Sequence, residues 1–391
     1  MRSIIDYIEK YGELSITELP FNEVDSLILC QLSYLKFDGM LPSPSENRAG
    51  GTLEELSALS GADAMFAGKV SVRKNRALLG AAKSSRRFGK MLLNNYISLT
   101  DGQWEIQFCA LTFTFENGLL YLAFRGTDET ITGWKEDFNM ALLSPVPAQE
   151  KAVQYLNTVA SRSTGGFLVG GHSKGGNLAV YGAAKCYPDL QKRILTIYNH
   201  DGPGFPKGTL METDGFLAIQ NRIQKYIPHS SIVGMLFESH EPYEIVECRH
   251  FGVLQHDPYN WIVEDASFRK VSSIYAHTAL KDESINRWID GLTKEETQVF
   301  VDSLFSVLTS TGADTLFHMM EDWAKDPKAM MRTVEGVDPK TREMLTKILT
   351  HLFACVLDVM KLKAIEKARS SRHKLKAQVK KWQEGDGFSK K

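Results

Sequence analysis

The chain has 391 residues, of which 43% are hydrophobic and 24% charged, and its formal net charge is −1. This near-neutral balance argues against a dedicated nucleic-acid binder, and the absence of any run of 18 uncharged apolar residues excludes a transmembrane helix. The length allows one large domain of roughly 250–300 residues and an accessory segment.

The cysteines favour a reducing environment. There are five of them, scattered, odd in number and without C-x-x-C spacing, a pattern that predicts free thiols rather than a disulfide framework or a zinc site. The first nine residues carry charges where a signal peptide needs an apolar core. We therefore expect a cytoplasmic protein.

Residues 1–95 are predicted to form an N-terminal helical layer. Apolar residues recur at helical spacing from residue 4 to 8 and from 24 to 35, and Asn22 or Asp25 can cap the second helix. Residues 41–52 are rich in Pro, Ser and Gly and predict a loop. Further helical segments are expected as far as about Leu93.

Residues 96–280 are predicted to form an α/β core. Residues 105–116 alternate apolar and polar positions, Asn117-Gly118 is typical of a hairpin turn, and residues 119–124 read as a second strand. Short apolar runs at 167–169 and 193–198 predict buried strands, with later candidates at 219–227 and 243–248. Strands separated by helical segments indicate a mostly parallel central sheet flanked by helices on both faces.

Residues 281–391 are predicted to form a C-terminal all-helical appendage, because apolar residues recur there at spacings of three and four. The last 31 residues, 361–391, carry eleven Lys or Arg against three acidic residues. This basic tail is open to two interpretations, a solvated helix or an amphipathic helix that makes peripheral contact with anionic lipid.

A candidate nucleophile lies in residues 171–175, Gly-His-Ser-Lys-Gly, which fit the G-x-S-x-G pattern. Such an elbow holds its serine, here Ser173, on a strained turn between a strand and a helix, and its glycines are needed because a β-carbon would collide with neighbouring backbone. The predicted strand before the motif and the helical residues 177–185 after it supply the expected context.

A serine nucleophile needs a base, an acid that orients the base, and donors for the oxyanion. In the order Ser, acid, His that belongs to this elbow, Asp201 follows a predicted strand and His256 lies on a later turn. His200 is the less favoured base, because it reads as a packing residue. The predicted oxyanion donors are the backbone amides of Lys174 and Thr127.

Several of these motifs resemble those of known protein families. Residues 124–127, Phe-Arg-Gly-Thr, followed by Gly-His-Ser-Lys-Gly-Gly at 171–176, resemble the class 3 (fungal-type) lipases. A closer resemblance, over roughly residues 20–265, is to a bacterial Mbeg-like α/β-hydrolase family of unknown function, through Asp-Gly-Pro-Gly at 201–204 and Gln-His-Asp-Pro at 255–258. The resemblance implies an α/β-hydrolase fold and a lipase or esterase activity.

The chain departs from the lipase pattern twice. The stretch 227–233 offers serine where class 3 lipases have their acid, which is why Asp201 is the predicted acid. Lys174 replaces the usual leucine after the nucleophile, and its cation is open to three interpretations: it favours an anionic substrate group, it depresses the pKa of the neighbouring histidine, or it is solvated.

The sequence thus predicts a serine hydrolase that cleaves carboxylic esters through Ser173, His256 and Asp201 and an acyl-enzyme, with no cofactor, metal or nucleic acid. The substrate would be a small-molecule or lipid-like ester. Two alternatives stay open: a thioesterase or amidase on the same residues, and a non-catalytic hydrolase-fold scaffold that binds a partner or a membrane.

Overall fold

The computed structural model describes residues 3–272, except 47, 68–71, 102–105, 128–138, 141–143, 207, 230, 232–233, 235–241 and 251–254, and seven positions beyond them (293, 295, 296, 339, 342, 343 and 346). The chain divides into two compact units, Met1–Phe305 and Ser306–Lys391. The predicted helical appendage and the basic tail lie outside the described residues, apart from those seven positions. The described strands and helices all belong to the first unit.

The centre of the unit is a mixed β-sheet. The described strands are β1 (Gly51–Thr52), β2 (Leu92–Asp101), β3 (Ile106–Thr114), β4 (Leu120–Phe124), β5 (Phe167–His172), β6 (Ile194–His200), β7 (Ile223–Pro228), β8 (Tyr243–Val246), β9 (Val263–Glu264), β10 (Ser267–Phe268) and β11 (Lys270–Val271). Among the described residues, nine strands form one sheet in the order β1-β2-β3-β4-β5-β6-β7-β8-β11, and β9 pairs with β10 apart from it.

The prediction of a mostly parallel sheet holds only for its central strands. β4 to β8 pair in parallel, whereas β1 to β4 are antiparallel and β11 is antiparallel to β8. The sequence did not predict β2, because this strand is half-exposed and its pairing is interrupted by an irregularity between Asn94 and Ile97. The residues from 92 to 95 that were expected to complete the helical layer belong to the sheet.

Helices cover both faces of this sheet. The described α-helices are α1 (Ile4–Tyr11), α2 (Glu23–Leu32), α3 (Leu53–Ala58), α4 (Val72–Lys83), α5 (Pro147–Ala160), α6 (Lys174–Lys185), α7 (Pro188–Gln191) and α8 (Asp214–Ile219). Asn22 caps α2 as predicted, because its side chain accepts the amides of Val24 and Asp25. Of the helices in this described part, none combines the length and hydropathy that crossing a membrane requires.

Two apolar cores follow from the alternation of side chains along β3 and β4. Leu111 and Tyr121 belong to the core beneath α1, α2 and α4, whereas Phe108 and Phe124 belong to the core beneath α5, α6 and α8. Successive residues of a strand point to opposite faces, so a strand buried on both faces is apolar throughout. Full burial of each such side chain contributes about 1.5–3 kcal/mol.

A buried ion pair fixes α2 within the N-terminal helical layer. The guanidinium of Arg87 donates to both carboxylate oxygens of Asp25, and the side chains of both residues are fully buried. The hydroxyl of Tyr7 donates to the same carboxylate at 3.0 Å. Removing one partner of such a pair leaves an uncompensated charge and costs about 3–5 kcal/mol.

Candidate active site

Ser173 lies at the turn between β5 and α6. Its backbone angles are φ 59° and ψ −133°, a region that side-chain-bearing residues rarely adopt. Two main-chain hydrogen bonds hold the turn: the Ser173 amide donates to the carbonyl of His200 at 2.9 Å, and the Gly176 amide donates to the carbonyl of Ser173 at 2.8 Å. The strand and the helix predicted around the motif are confirmed.

The two motif glycines are required by close backbone approach. A β-carbon on Gly171 would lie 2.0 Å from the carbonyl oxygen of Gly175, and one on Gly175 would lie 2.0 Å from the carbonyl oxygen of Phe124. Both distances are far below van der Waals contact with rigid main chain, so the turn can pack against β4 only with glycine at these positions.

Asp201 directly follows β6, the strand beside β5, and it also adopts a left-handed conformation with φ 54°. The carboxyl ends of neighbouring parallel strands meet at one edge of a sheet, which brings Asp201 and Ser173 to the same edge. The Asp201 residue is 1% exposed, and its amide donates to the carbonyl of Tyr226 at 2.8 Å.

Three groups donate to the Asp201 carboxylate. Nδ1 of His256 donates to Oδ2 at 2.7 Å, the amide of Gly234 donates to Oδ1 at 3.1 Å, and the hydroxyl of Ser231 also donates to Oδ1. An ionised carboxylate can only accept, so the proton of the neutral His256 ring is on Nδ1. Nε2 is then left as an acceptor, the state that a general base requires.

His256 reaches the serine turn through its neighbour His172. Nε2 of His172 donates to the main-chain carbonyl of His256 at 2.9 Å, and the centroids of the two imidazole rings are 4.6 Å apart. Among the described contacts, the Ser173 hydroxyl and the His256 ring share no direct hydrogen bond. The described contact between the His256 loop and the serine turn therefore runs through His172.

The predicted oxyanion donors, the amides of Lys174 and Thr127, belong to the two segments that meet at the serine turn. The Lys174 amide is the first of α6, where amide groups lack helical acceptors. Thr127 follows Gly126, and a β-carbon on Gly126 would lie 3.0 Å from Cβ of Ser173. The loop after β4 therefore packs directly against the serine turn.

The side chain of Lys174 is buried at 1% exposure of the residue, so the interpretation of a solvated cation is wrong. Its ammonium donates to the carbonyl oxygen of Gln107 at 2.9 Å and to Oε1 of Gln107 at 2.6 Å. Buried charges are tolerated only with such partners. These contacts direct Nζ toward β3.

His200 lies in the core beneath α1, α2 and α4, which agrees with its prediction as a packing residue. Burial lowers the pKa of its imidazole to about 3, and Nε2 lies 2.8 Å from the hydroxyl of Ser26. Four aromatic rings surround it: Tyr198, Tyr226, Trp261 and Phe268.

Sequence reasoning did not assign roles to His172, Tyr34 or Ser231. The only local signal for Ser231 was the serine at the position where class 3 lipases have their acid. Within the described part of the chain, no group of three or more His, Cys, Asp or Glu side chains is placed to hold a metal ion.

Together these features define an α/β fold that carries a serine at a strand-to-helix turn and an Asp–His pair at the end of the next strand. The Mbeg1-like family model matches residues 82–306, more than half of the chain. The chain therefore belongs to the Mbeg1-like family, which confirms the resemblance, although the matched span begins later in the chain and ends nearer the C-terminus than the one predicted.

Two solved structures are similar over part of the chain. One is Rhizomucor miehei lipase in its propeptide complex, with a TM-score of 0.30 and 16% identity over 41% of this chain and 57% of that chain. The other is a triacylglycerol lipase from Penicillium expansum, with a TM-score of 0.28 and 10% identity over 47% of this chain and 82% of that chain. These TM-scores are too low to support an inference about activity. No curated protein sequence matches the chain.

Proposed function

We propose that the chain is a serine hydrolase of the α/β-hydrolase type that cleaves carboxylic esters. The observation that carries this proposal is the hydrogen bond from Nδ1 of His256 to the buried carboxylate of Asp201, beside a serine with φ 59°. A structural Asp–His pair has no need of a serine held in a strained turn at the same sheet edge.

The proposed reaction begins when Oγ of Ser173 attacks the ester carbonyl carbon. Nε2 of His256 takes the serine proton and then delivers it to the departing alcohol, while Asp201 stabilises the imidazolium. The amides of Lys174 and Thr127 donate to the tetrahedral oxyanion. Water, activated by the same histidine, releases the acid from the acyl-enzyme. The Ser173–His256 hydrogen bond would form with substrate bound, since such bonds often tighten only then.

The first test is intact mass after incubation with a fluorophosphonate, which labels only an activated serine. Wild type is expected to gain one adduct and Ser173→Ala none. Asp201→Asn should label much more slowly, because its amide can leave His256 in the wrong tautomer. A folded wild-type protein without an adduct would contradict the proposal and favour the scaffold alternative.

The acyl and leaving groups need a second measurement, because esters, thioesters and amides all pass through the same acyl-enzyme. Turnover of nitrophenyl esters of increasing chain length separates esterase from lipase behaviour, and matched thioester and anilide substrates test the alternative. A lipid-like substrate, membrane contact by residues 361–391 and a cytoplasmic location stay predictions.

A further inference from the structure

The contacts of His172 place a proton on Nε2 of its ring. Its Nε2 lies 2.9 Å from the carbonyl oxygen of His256, and a carbonyl can only accept, so Nε2 carries a proton. On the other side of the ring, Nδ1 lies 3.2 Å from the hydroxyl of Tyr34. In the neutral ring Nδ1 is an acceptor, and the tyrosine donates.

The ring stays neutral because of where it lies. The His172 residue is 4% exposed, and burial, reinforced by the adjacent His256, holds the pKa of His172 well below its usual value. Its Nε2–H therefore remains a donor when His256 becomes an imidazolium, and no second cation forms beside the base.

The loop that carries His256 is anchored through its main chain. The His256 side chain itself is 27% exposed, so packing alone does not fix it. The indole of Trp261 donates to the carbonyl of Gln255 at 2.8 Å, and His172 donates to the next carbonyl. The main-chain carbonyls of Gln255 and His256 thus each accept a hydrogen bond from a buried ring.

The imidazole itself is also contacted by His172. The two rings are tilted by 33° with centroids 4.6 Å apart, while Asp201 holds Nδ1 of the same imidazole. The contact with His172 constrains the face of the His256 ring, and the hydrogen bond to Asp201 constrains its edge. Positioning of this kind matters because a misplacement of about 1 Å can cost about 10²-fold in rate.

We propose that His172 is a positioning residue for His256: its Nε2–H donates to the His256 carbonyl, and the Tyr34 hydroxyl supports this arrangement by donating to Nδ1 on the other side of the ring. The proposal rests on the proposed function, since it assigns His256 the role of base. It is distinct from the nucleophile and acid assignments, because His172 acts through His256 and touches no reacting atom.

The test compares three variants with wild type. His172→Phe keeps a ring but has no donor, His172→Gln keeps an N–H donor, and Tyr34→Phe removes only the hydroxyl. We expect fluorophosphonate labelling of Ser173 to slow about 10²-fold in His172→Phe, to fall between this value and wild type in Tyr34→Phe, and to be largely restored in His172→Gln. Labelling of His172→Phe at the wild-type rate would overturn the proposal, and so would a glutamine variant no faster than the phenylalanine variant.

A readout without chemistry separates this proposal from the proposed function. The proton between His256 Nδ1 and Asp201 gives a far-downfield NMR signal, assigned by its loss in His256→Gln. We expect it to persist in wild type and His172→Gln and to broaden by exchange in His172→Phe and, less, in Tyr34→Phe. If wild type has this pattern but is never labelled, the hydrolase proposal fails and the positioning role stands. If the signal is unchanged in folded His172→Phe or Tyr34→Phe, the positioning role fails whatever the activity.

Discussion

The hydroxyl of Ser231 donates to one oxygen of the Asp201 carboxylate, while His256 occupies the other. Ser231 follows β7, whereas the carboxylate that it contacts follows the neighbouring strand, β6. The loops after two adjacent strands therefore share one hydrogen bond at this edge of the sheet. We therefore expect substitutions of Asp201 and of Ser231 to lower kcat by different amounts.

Asp201→Asn should lower kcat for a nitrophenyl ester by about 10³- to 10⁴-fold, because the amide can donate to Nδ1 and so favour the wrong imidazole tautomer. KM should change little, since a side chain as buried as that of Asp201 is not expected to contact substrate. Circular dichroism checks that the fold is intact. A loss below tenfold in a folded variant would mean that Asp201 is not the acid.

Ser231→Ala should have a milder effect, about tenfold on kcat, because the Gly234 amide still donates to Asp201. The lost bond to a charged acceptor should also lower the free energy of unfolding by about 1.5–3 kcal/mol. Ser231→Thr, which keeps the hydroxyl, serves as the control for activity. Equal rates in the alanine variant and wild type would show that the serine does not orient the acid.

Gly126→Ala should damage the site from the side of the β4 loop. The new β-carbon would lie 2.2 Å from the Tyr34 hydroxyl and 2.6 Å from the His172 carbonyl oxygen, so the loop must move away from Ser173. We expect labelling to slow about 10²-fold and the protein to lose about 1–3 kcal/mol of stability.

The matched control for this substitution is Gly80→Ala. Gly80 lies within α4, and nothing lies within 4 Å of an added β-carbon there. The substitution should raise stability by about 0.5–1 kcal/mol and leave labelling unchanged. The prediction for Gly126 is wrong if both alanine variants label Ser173 equally fast.

His200 should make the protein sensitive to acid. Its folded-state pKa of about 3 lies below the ordinary 6.5, so the unfolded chain binds the extra proton. The stability from this group is complete above pH 6.5 and is lost as the pH falls toward 3, at about 1.4 kcal/mol per pH unit. Between pH 6.5 and 5 the expected loss is about 2 kcal/mol, measured by urea unfolding.

His200→Gln should lose less stability than wild type over the same pH interval, because it has no imidazole to protonate. Ser26→Ala is the matched control: it removes the hydrogen bond to His200 but keeps the buried ring. This control should be less stable at every pH and keep the wild-type slope. If the stability of His200→Gln and of wild type fell equally steeply with pH, the acid sensitivity could not be attributed to His200.

The four described cysteines, Cys30, Cys109, Cys186 and Cys248, are all buried, and none of these four is in a disulfide. Burial raises the pKa of the Cys30 and Cys186 thiols to about 12, and that of Cys248 still further. In a Cys355→Ser variant, Ellman's reagent at pH 8 should therefore find no fast-reacting thiol until urea unfolds the protein. Rapid modification of any of the four in the native protein would disagree with their burial.

The sequence was most informative about features that depend on residues close together in the chain. The turn at Ser173 could be predicted because Gly171 and Gly175 lie two residues away on either side and each is required by backbone contact. Asp201 and His256 could be proposed as partners from their order and their turn context. Their hydrogen bond joins positions 55 residues apart and needed the structure.

The features that the sequence did not predict depend on tertiary packing. The contact of Tyr34 with His172 spans 138 residues and leaves no periodic pattern. In β2 the alternation that signals a half-buried strand is broken between Asn94 and Ile97, and the direction of β1 to β3 follows from sheet pairing rather than composition. The orientation of Lys174 was equally open, since only the position of Gln107 on β3 decides where its ammonium lies.

The left-handed conformations of Ser173 and Asp201 have an energetic consequence. Each costs on the order of 1 kcal/mol relative to glycine, which adopts such angles freely. Glycine at position 201 would relieve that cost but would leave the Ser231 hydroxyl, the Gly234 amide and Nδ1 of His256 without their acceptor. The fold therefore spends part of its free energy of unfolding on placing a hydroxyl and a carboxylate at one edge of the sheet.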